Sequence, residues 1–96
     1  MRVFWSDQSR FDVERVRAYL FEKNPLAAIA VSETLFQAGN SLSSLPRRYA
    51  ERDGGYREMV VSRYHYIIRY EILPDPDHAK RQAVLILSVW HPAQDR

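Results

Sequence analysis

The alternation of apolar and polar positions is clearest between Tyr56 and Ile72, and it predicts two antiparallel strands joined by a tight turn. Successive side chains of a strand point to opposite faces, so residues two apart share a face. The second strand then has one largely apolar face, formed by Tyr66, Ile68, Tyr70 and Ile72. Its other face is mixed and carries His65, Ile67, Arg69 and Glu71. Arginine among the apolar positions of a strand indicates a surface that meets a partner or a substrate.

Helical spacing of apolar residues predicts two helices before this hairpin. The first runs from about Ser9 to Lys23, and its apolar positions recur at steps of three and four, at Val13, Val16 and Leu20. The second runs from about Pro25 to Gly39, with a seam of small and medium residues at Ala28, Val31, Leu35, Ala38 and Leu42. Pro25 disfavours helical geometry in the residue before it and suits the first position of the next helix. Because the break is so short, the helices are expected to form an antiparallel hairpin.

Strand-forming residues predict one strand before the helices and one after the hairpin. The segment Arg2–Trp5 is short and rich in β-branched and aromatic residues. The segment Leu73–His78 is predicted to be a turn, because its two prolines should not sit in a paired central strand. The nearly continuous apolar run Gln82–His91 predicts a strand in the middle of the sheet that is buried on both faces.

The order of strand, helix, helix and three strands indicates an α+β fold. It comprises an N-terminal strand, an antiparallel helical hairpin and a three-stranded antiparallel sheet meander, with the helices on one face of the sheet. The 96 residues suffice for one such domain, predicted to span 1–96, but not for two.

Composition and charge narrow the classes of function. The absence of cysteine excludes disulfide frameworks and cysteine-based zinc sites. No segment approaches the ~20 apolar residues of a membrane helix, and the first residues lack a signal-peptide pattern, so a cytoplasmic protein without membrane contact is predicted. The net charge is +2, from twelve Arg and two Lys against twelve acidic residues. This charge does not distinguish a nucleic-acid partner from an acidic peptide partner. His78 near Asp75 and Asp77 lacks the spacing of a metal site, so neither metal nor cofactor is predicted.

Several segments, in their order and spacing, resemble the toxins of the RelE/ParE superfamily from bacterial type II toxin–antitoxin systems. These segments are Asn24–Ala28 at the helix junction, Tyr56–Val61, Tyr64–Tyr70 and Ile86–His91. The resemblance implies a small toxin that a cognate antitoxin neutralises by wrapping an extended or helical segment over its helices and sheet. The helix junction and the hairpin look more like the ParE branch, which inhibits DNA gyrase. The RelE branch instead cuts mRNA in the ribosome.

The RelE alternative implies a metal-independent endoribonuclease on the sheet. Cleavage through the 2′-hydroxyl needs a base, a cation for the phosphate and an acid. Arg57, Arg63 and Arg69 are the candidate cations, and His91 is the candidate acid or base. Expected contacts to the target are Tyr66, Tyr70 and Arg96. The structural alternative pairs Arg57 and Arg63 with Glu58, Glu71 or an antitoxin carboxylate and places the tyrosines in the core.

The predicted antitoxin contacts lie on the second helix and in the loop that follows it. They are Ile29, Phe36, Arg47 and Arg48. The alternatives are core packing for Ile29 and Phe36, and a solvated loop for the two arginines. A non-toxic adaptor that docks a peptide strand on this sheet is a third functional class.

Overall fold

The computed structural model of the chain describes residues 1–93. Strand β1 (Arg2–Trp5) leads into helix α1 (Asp7–Phe21) and helix α2 (Pro25–Asn40), and a short 3-10 turn (Ser41–Ser43) follows. Strands β2 (Arg57–Val60), β3 (Ile67–Asp75) and β4 (His78–Trp90) complete the described part. The predicted α+β class and the order of elements are confirmed. Arg96 lies outside the described residues, so its predicted contact has no structural counterpart here.

Side chains at each helix start explain where α1 and α2 begin. The hydroxyl of Ser6 accepts a hydrogen bond from the Ser9 backbone N–H at 3.0 Å, so α1 begins at Asp7, before the predicted start. The side chain of Asn24 accepts from the Ala27 N–H at 3.2 Å, and Pro25 occupies the first helical position. Both helices pack by their predicted apolar residues, with Val13, Val16, Val31 and Leu35 in the core.

The four strands form one mixed sheet in the order β1-β4-β3-β2. β2, β3 and β4 make the predicted antiparallel meander. β1 pairs in parallel with β4, from Arg2 opposite Ala83 to Trp5 opposite Ile86, which the sequence pattern did not predict. The helices pack on one face, here called the helix face, which carries the buried residues Ile68, Tyr70, Val84 and Ile86. The opposite face is called the open face.

A turn does lie within the predicted range Leu73–His78, but it comprises only Pro76 and Asp77, because β3 continues through Pro74 to Asp75 and β4 begins at His78. Pro74 pairs with Gln82 of β4. The other side of β3 is paired with β2 only from Ile67 to Tyr70, so β3 is an edge strand where Pro74 lies. A proline, which lacks an N–H, is tolerated at such an edge.

The prediction that the last strand is buried on both faces is also wrong, although β4 does lie inside the sheet between β1 and β3. The helices cover one face only, so Leu85 on the open face is half-buried. Tyr70 pairs with Ile86 and Arg69 pairs with Ser88, which leaves Leu87 as an extra residue in β4. This β-bulge returns Val89 to the helix face, where it joins the core.

Candidate functional site

The register of the β2–β3 hairpin separates two of the candidate arginines. Arg57 lies opposite Tyr70, and Glu58 lies opposite Arg69. Directly opposite residues of an antiparallel pair share a face. Arg57 therefore lies on the helix face with Tyr70, whereas Arg69 lies on the open face. The two guanidinium groups are on opposite sides of the sheet.

On the helix face, Arg57 and Tyr70 hold the loop between α2 and β2 against the sheet. The Arg57 Nη1 atom donates to the backbone oxygen of Tyr49 at 2.5 Å, and the Tyr70 hydroxyl donates to the backbone oxygen of Pro46 at 2.6 Å. Tyr70 is fully buried, and burial raises the pKa of its phenol. No ring surface of Tyr70 is left for a base to stack on, which is at odds with its predicted contact to a target.

On the open face, Arg69 is enclosed by two aromatic rings and a carboxylate. Its guanidinium carbon lies 4.2 Å from the ring centroid of Tyr56 and 5.1 Å from that of Trp90. Its Nη2 atom lies 3.0 Å from the Glu58 carboxylate, which also pairs with Arg52 at 3.3 Å. The structural alternative expected Glu58 to pair with Arg57 or Arg63, whereas its partners in the structure are Arg69 and Arg52. A phosphate at this place would have to compete with Glu58.

A pocket of about 510 Å³ lies between α1 and the end of β4, and it brings Tyr66 and His91 together. Their ring centroids are 5.2 Å apart, with the rings nearly perpendicular. Burial raises the pKa of Tyr66, so its phenol stays protonated at neutral pH. The Nδ1 atom of His91 accepts a hydrogen bond from the Ala93 N–H at 3.0 Å. In a neutral ring this bond puts the proton on Nε2, which makes Nε2 a donor rather than a base.

Helix α1 supplies the other wall of this pocket, with Asp12, Arg15 and Tyr19. Asp12 accepts a hydrogen bond from the Val89 backbone N–H at 2.9 Å and thereby fixes α1 to the end of β4. Sequence reasoning did not assign these three residues to a site. The available signal was their spacing, since residues 12, 15 and 19 share one helix face at steps of three and four.

Arg63 is exposed in the turn between β2 and β3, and its guanidinium carbon lies 5.0 Å from the ring centroid of Tyr64. The same turn holds Tyr64 and His65 in left-handed backbone conformations, with φ of 70° and 62°. It lies at the end of the sheet where Tyr66 and His91 meet. Arg57 lies about 13 Å from Tyr66 in the direction of β3, because Tyr70, which pairs with Arg57, is four residues beyond Tyr66 in the chain. The four candidate catalytic residues are thus not gathered around one point.

A sequence profile described as "ParE toxin of type II toxin-antitoxin system, parDE" matches residues 3–96. The chain belongs to the ParE toxin family. Among curated proteins none matches the chain. A chain from a solved structure described as "Chromosomal ParDE TA system from P. aeruginosa" has the same fold, with a TM-score of 0.77 and 15% sequence identity. The alignment covers 95% of each chain. The predicted RelE/ParE resemblance, with its preference for the ParE branch, is confirmed.

The residues predicted to meet an antitoxin are accessible in this ParE-family chain. Ile29 and Phe36 lie on the outer side of α2, and Phe36 packs edge-on against Trp5 at 4.8 Å between ring centroids. Arg47 donates a hydrogen bond to the side chain of Gln82. The guanidinium of Arg48 lies over the Tyr49 ring at 5.7 Å. Both arginines are exposed.

Within residues 1–93, no group of three or more His, Cys, Asp or Glu side chains is placed to hold a metal ion. Neither α1 nor α2, the two α-helices of the described part of the chain, combines the length and the apolar character that crossing a membrane requires.

Proposed function

We propose that this chain is a growth-inhibiting toxin that poisons DNA gyrase and that a cognate antitoxin neutralises it. Membership of the ParE family carries the proposal, because the resemblance to ParE toxins implies this target. The arrangement of the candidate catalytic residues supports it. Arg57 and Arg69 lie on opposite faces, and each already has an oxygen partner within the chain. A nuclease would need its cations to converge on one phosphate.

Expression of the chain alone in a bacterial host tests this function. We expect growth arrest, gyrase–DNA cleavage complexes and induction of the DNA-damage response. Purified toxin should inhibit supercoiling by purified gyrase, and the toxin–antitoxin complex should not. The complex is the matched control, because it contains the same folded chain with its partner bound. Undisturbed gyrase supercoiling at toxic doses contradicts the proposal.

The RelE-like alternative rests on one observation, the pocket that joins Tyr66 with His91 and lies at the same end of the sheet as Arg63. It predicts cuts in ribosome-bound mRNA, which primer extension maps to codon positions. Arg63→Ala and His91→Ala should then abolish both the cuts and the toxicity. We expect instead that neither variant changes the mRNA pattern. Harmless expression without any partner would favour the peptide-binding adaptor.

A further inference from the structure

The end of the β3–β4 hairpin projects beyond the rest of the sheet. β1 pairs with β4 only from Ala83 onwards, and β2 pairs with β3 no further than Tyr70. In the described part of the chain, residues 78–82 of β4 therefore pair with β3 alone. This two-stranded segment, residues 73–82, is called the ribbon. It extends about 13 Å beyond Ala83, at 3.3 Å per residue, and every residue from 76 to 82 is exposed.

Basic side chains are concentrated on the ribbon and at its base. The base comprises Arg2 and the loop residues 44–48, and Arg47 of this loop donates a hydrogen bond to the side chain of Gln82. The ribbon and its base carry five cations, which are Arg2, Arg47, Arg48, Lys80 and Arg81. They also carry two carboxylates, those of Asp75 and Asp77, so the net charge of this end is +3. The whole chain carries +2, so the positive excess of the protein lies here.

The two acids of the ribbon pair with Arg2 and leave the other cations uncompensated. The Arg2 Nη1 atom lies 2.7 Å from the Asp77 carboxylate and 3.5 Å from that of Asp75. Within residues 1–93, neither Lys80 nor Arg81 makes an ion pair, a hydrogen bond or a ring contact. A phosphate can therefore pair with either of these cations without displacing a carboxylate of the chain.

The composition and shape of the ribbon favour duplex DNA as the partner. Residues 78–82 are His, Ala, Lys, Arg and Gln, without an aromatic or large apolar side chain. The centres of protein–protein interfaces are rich in aromatic residues and poor in Lys, whereas protein–DNA interfaces are polar and positively charged. The two strands of a ribbon are about 4.8 Å apart, and the major groove of B-DNA, about 12 Å wide, admits such a ribbon. The major groove of an RNA duplex is too narrow for it.

We propose that the ribbon binds the phosphate backbone of duplex DNA. Lys80 and Arg81 contact phosphates from the ribbon itself, and Arg47 and Arg48, which are also predicted antitoxin contacts, do so from its base. Binding is independent of base sequence, because phosphate contacts carry no base information. The inference goes beyond the proposed function, which requires a contact with gyrase but none with DNA. It brings the toxin to the molecule on which gyrase acts, where it can slide along the duplex.

The test measures binding of the purified chain to a fluorescein-labelled DNA duplex of about 20 base pairs by fluorescence anisotropy. Four phosphate contacts predict that the logarithm of the binding constant falls by about 3.6 per logarithmic unit of salt, or roughly 150-fold between 50 and 200 mM. Lys80→Gln and Arg81→Gln should each reduce this slope by about 0.9 and weaken binding roughly tenfold at 50 mM salt. Circular dichroism verifies that each variant is folded.

Lys23→Gln is the matched control, because it removes the same charge from the other lysine of the chain. Lys23 is exposed and follows α1, whose residue Tyr19 lines the pocket beside His91, at the end of the sheet away from the ribbon. This variant should bind the duplex with the affinity and salt slope of the parent chain. Equal weakening by Lys23→Gln and Lys80→Gln overturns the proposal, because the net charge rather than the ribbon would then attract DNA.

Other nucleic acids and an acidic peptide complete the test. A duplex RNA of the same sequence should bind more weakly than the DNA, and equal or tighter binding overturns the groove argument. Tighter binding of a poly-glutamate peptide than of the DNA assigns the ribbon to an acidic protein and overturns the proposal, as does the absence of DNA binding at about 50 mM salt. Gyrase is absent from this assay, so its outcome is independent of the test of gyrase poisoning.

Discussion

Replacement of Gly39 by alanine should have two opposite effects on stability, a gain in helix propensity and a loss in core packing. Gly39 lies in the last turn of α2, where the helix approaches β1 and β4. A Cβ atom at this position would lie 2.6 Å from the Trp5 Cη2 atom and 2.7 Å from the Ile86 Cδ1 atom. Favourable contacts between carbon atoms are about 3.5–4.0 Å long, so both neighbours would have to retreat by about 1 Å. Helix propensity by itself predicts the opposite effect, a stabilisation of about 1 kcal/mol.

The size of the effect follows from what surrounds the site. Added methyl groups in a packed core reduce stability by about 1–3 kcal/mol. A displaced Trp5 would also lose the hydrogen bond from its Nε1 atom to the Asn40 side chain, 2.9 Å long, which contributes about 1 kcal/mol. The gain in helix propensity roughly offsets the loss of the hydrogen bond between Trp5 and Asn40, so the packing loss remains. We therefore expect Gly39→Ala to lower the free energy of unfolding by about 1–3 kcal/mol.

Urea unfolding followed by far-ultraviolet circular dichroism measures this change without depending on tryptophan fluorescence. Trp5→Leu provides the matched background, because it removes the ring atoms that the new methyl group would meet. In that background Gly39→Ala should be much less destabilising, and the difference is the coupling energy of the double-mutant cycle. A Gly39→Ala variant as stable as the parent chain, or more stable, would refute the packing argument.

Three further changes test other contacts by urea unfolding. Tyr70→Phe should lower stability by about 1 kcal/mol at pH 7, because the hydrogen bond to the Pro46 oxygen is lost. Burial raises the pKa of the Tyr70 phenol in the folded chain, so the unfolded chain loses the phenolic proton first as pH rises above 10. The free energy of unfolding of the parent chain should therefore fall above pH 10, and that of Tyr70→Phe should fall less. Asp12→Ala should cost about 2 kcal/mol and Asp12→Asn less, because only the amide can still accept from Val89 N–H. His65→Gly should not destabilise, since glycine adopts a φ of 62° without strain; a loss of more than about 1 kcal/mol would contradict this.

Local patterns predicted most of the helices and the hairpin because the signals there are strong and lie close together in sequence. The apolar alternation of Ile68, Tyr70 and Ile72 identified the face that packs on the helices. Asn24 and Pro25 marked the start of α2 to the residue, since a side-chain cap and a fixed φ act only on their own neighbours.

Long-range pairing could not be predicted in the same way. Pro74 can lie in β3 because the pairing of β3 with β2 ends before it, and no residue close to Pro74 in sequence indicates where that pairing ends. The separation of Arg57 from Arg69 depends on the register between two strands, whereas alternation within each strand fixes only relative faces. No local pattern indicates that the Asp12 carboxylate accepts a hydrogen bond from the Val89 N–H, 77 residues away.

The parallel pairing of β1 with β4 also determines how early the sheet can form during synthesis of the chain. Val3 pairs with Val84, about eighty residues further along the chain, so at 5–20 residues per second β1 waits roughly 4–16 s for its partner during synthesis. Until β4 is made, α1 and α2 lack most of the sheet that buries their inner sides, and this contact of high sequence separation forms last. We expect nascent chains that end before Ala83 to be open to proteolysis. A chain with this topology cannot complete its sheet until β4 has been synthesised, so folding lags several seconds behind the synthesis of β1.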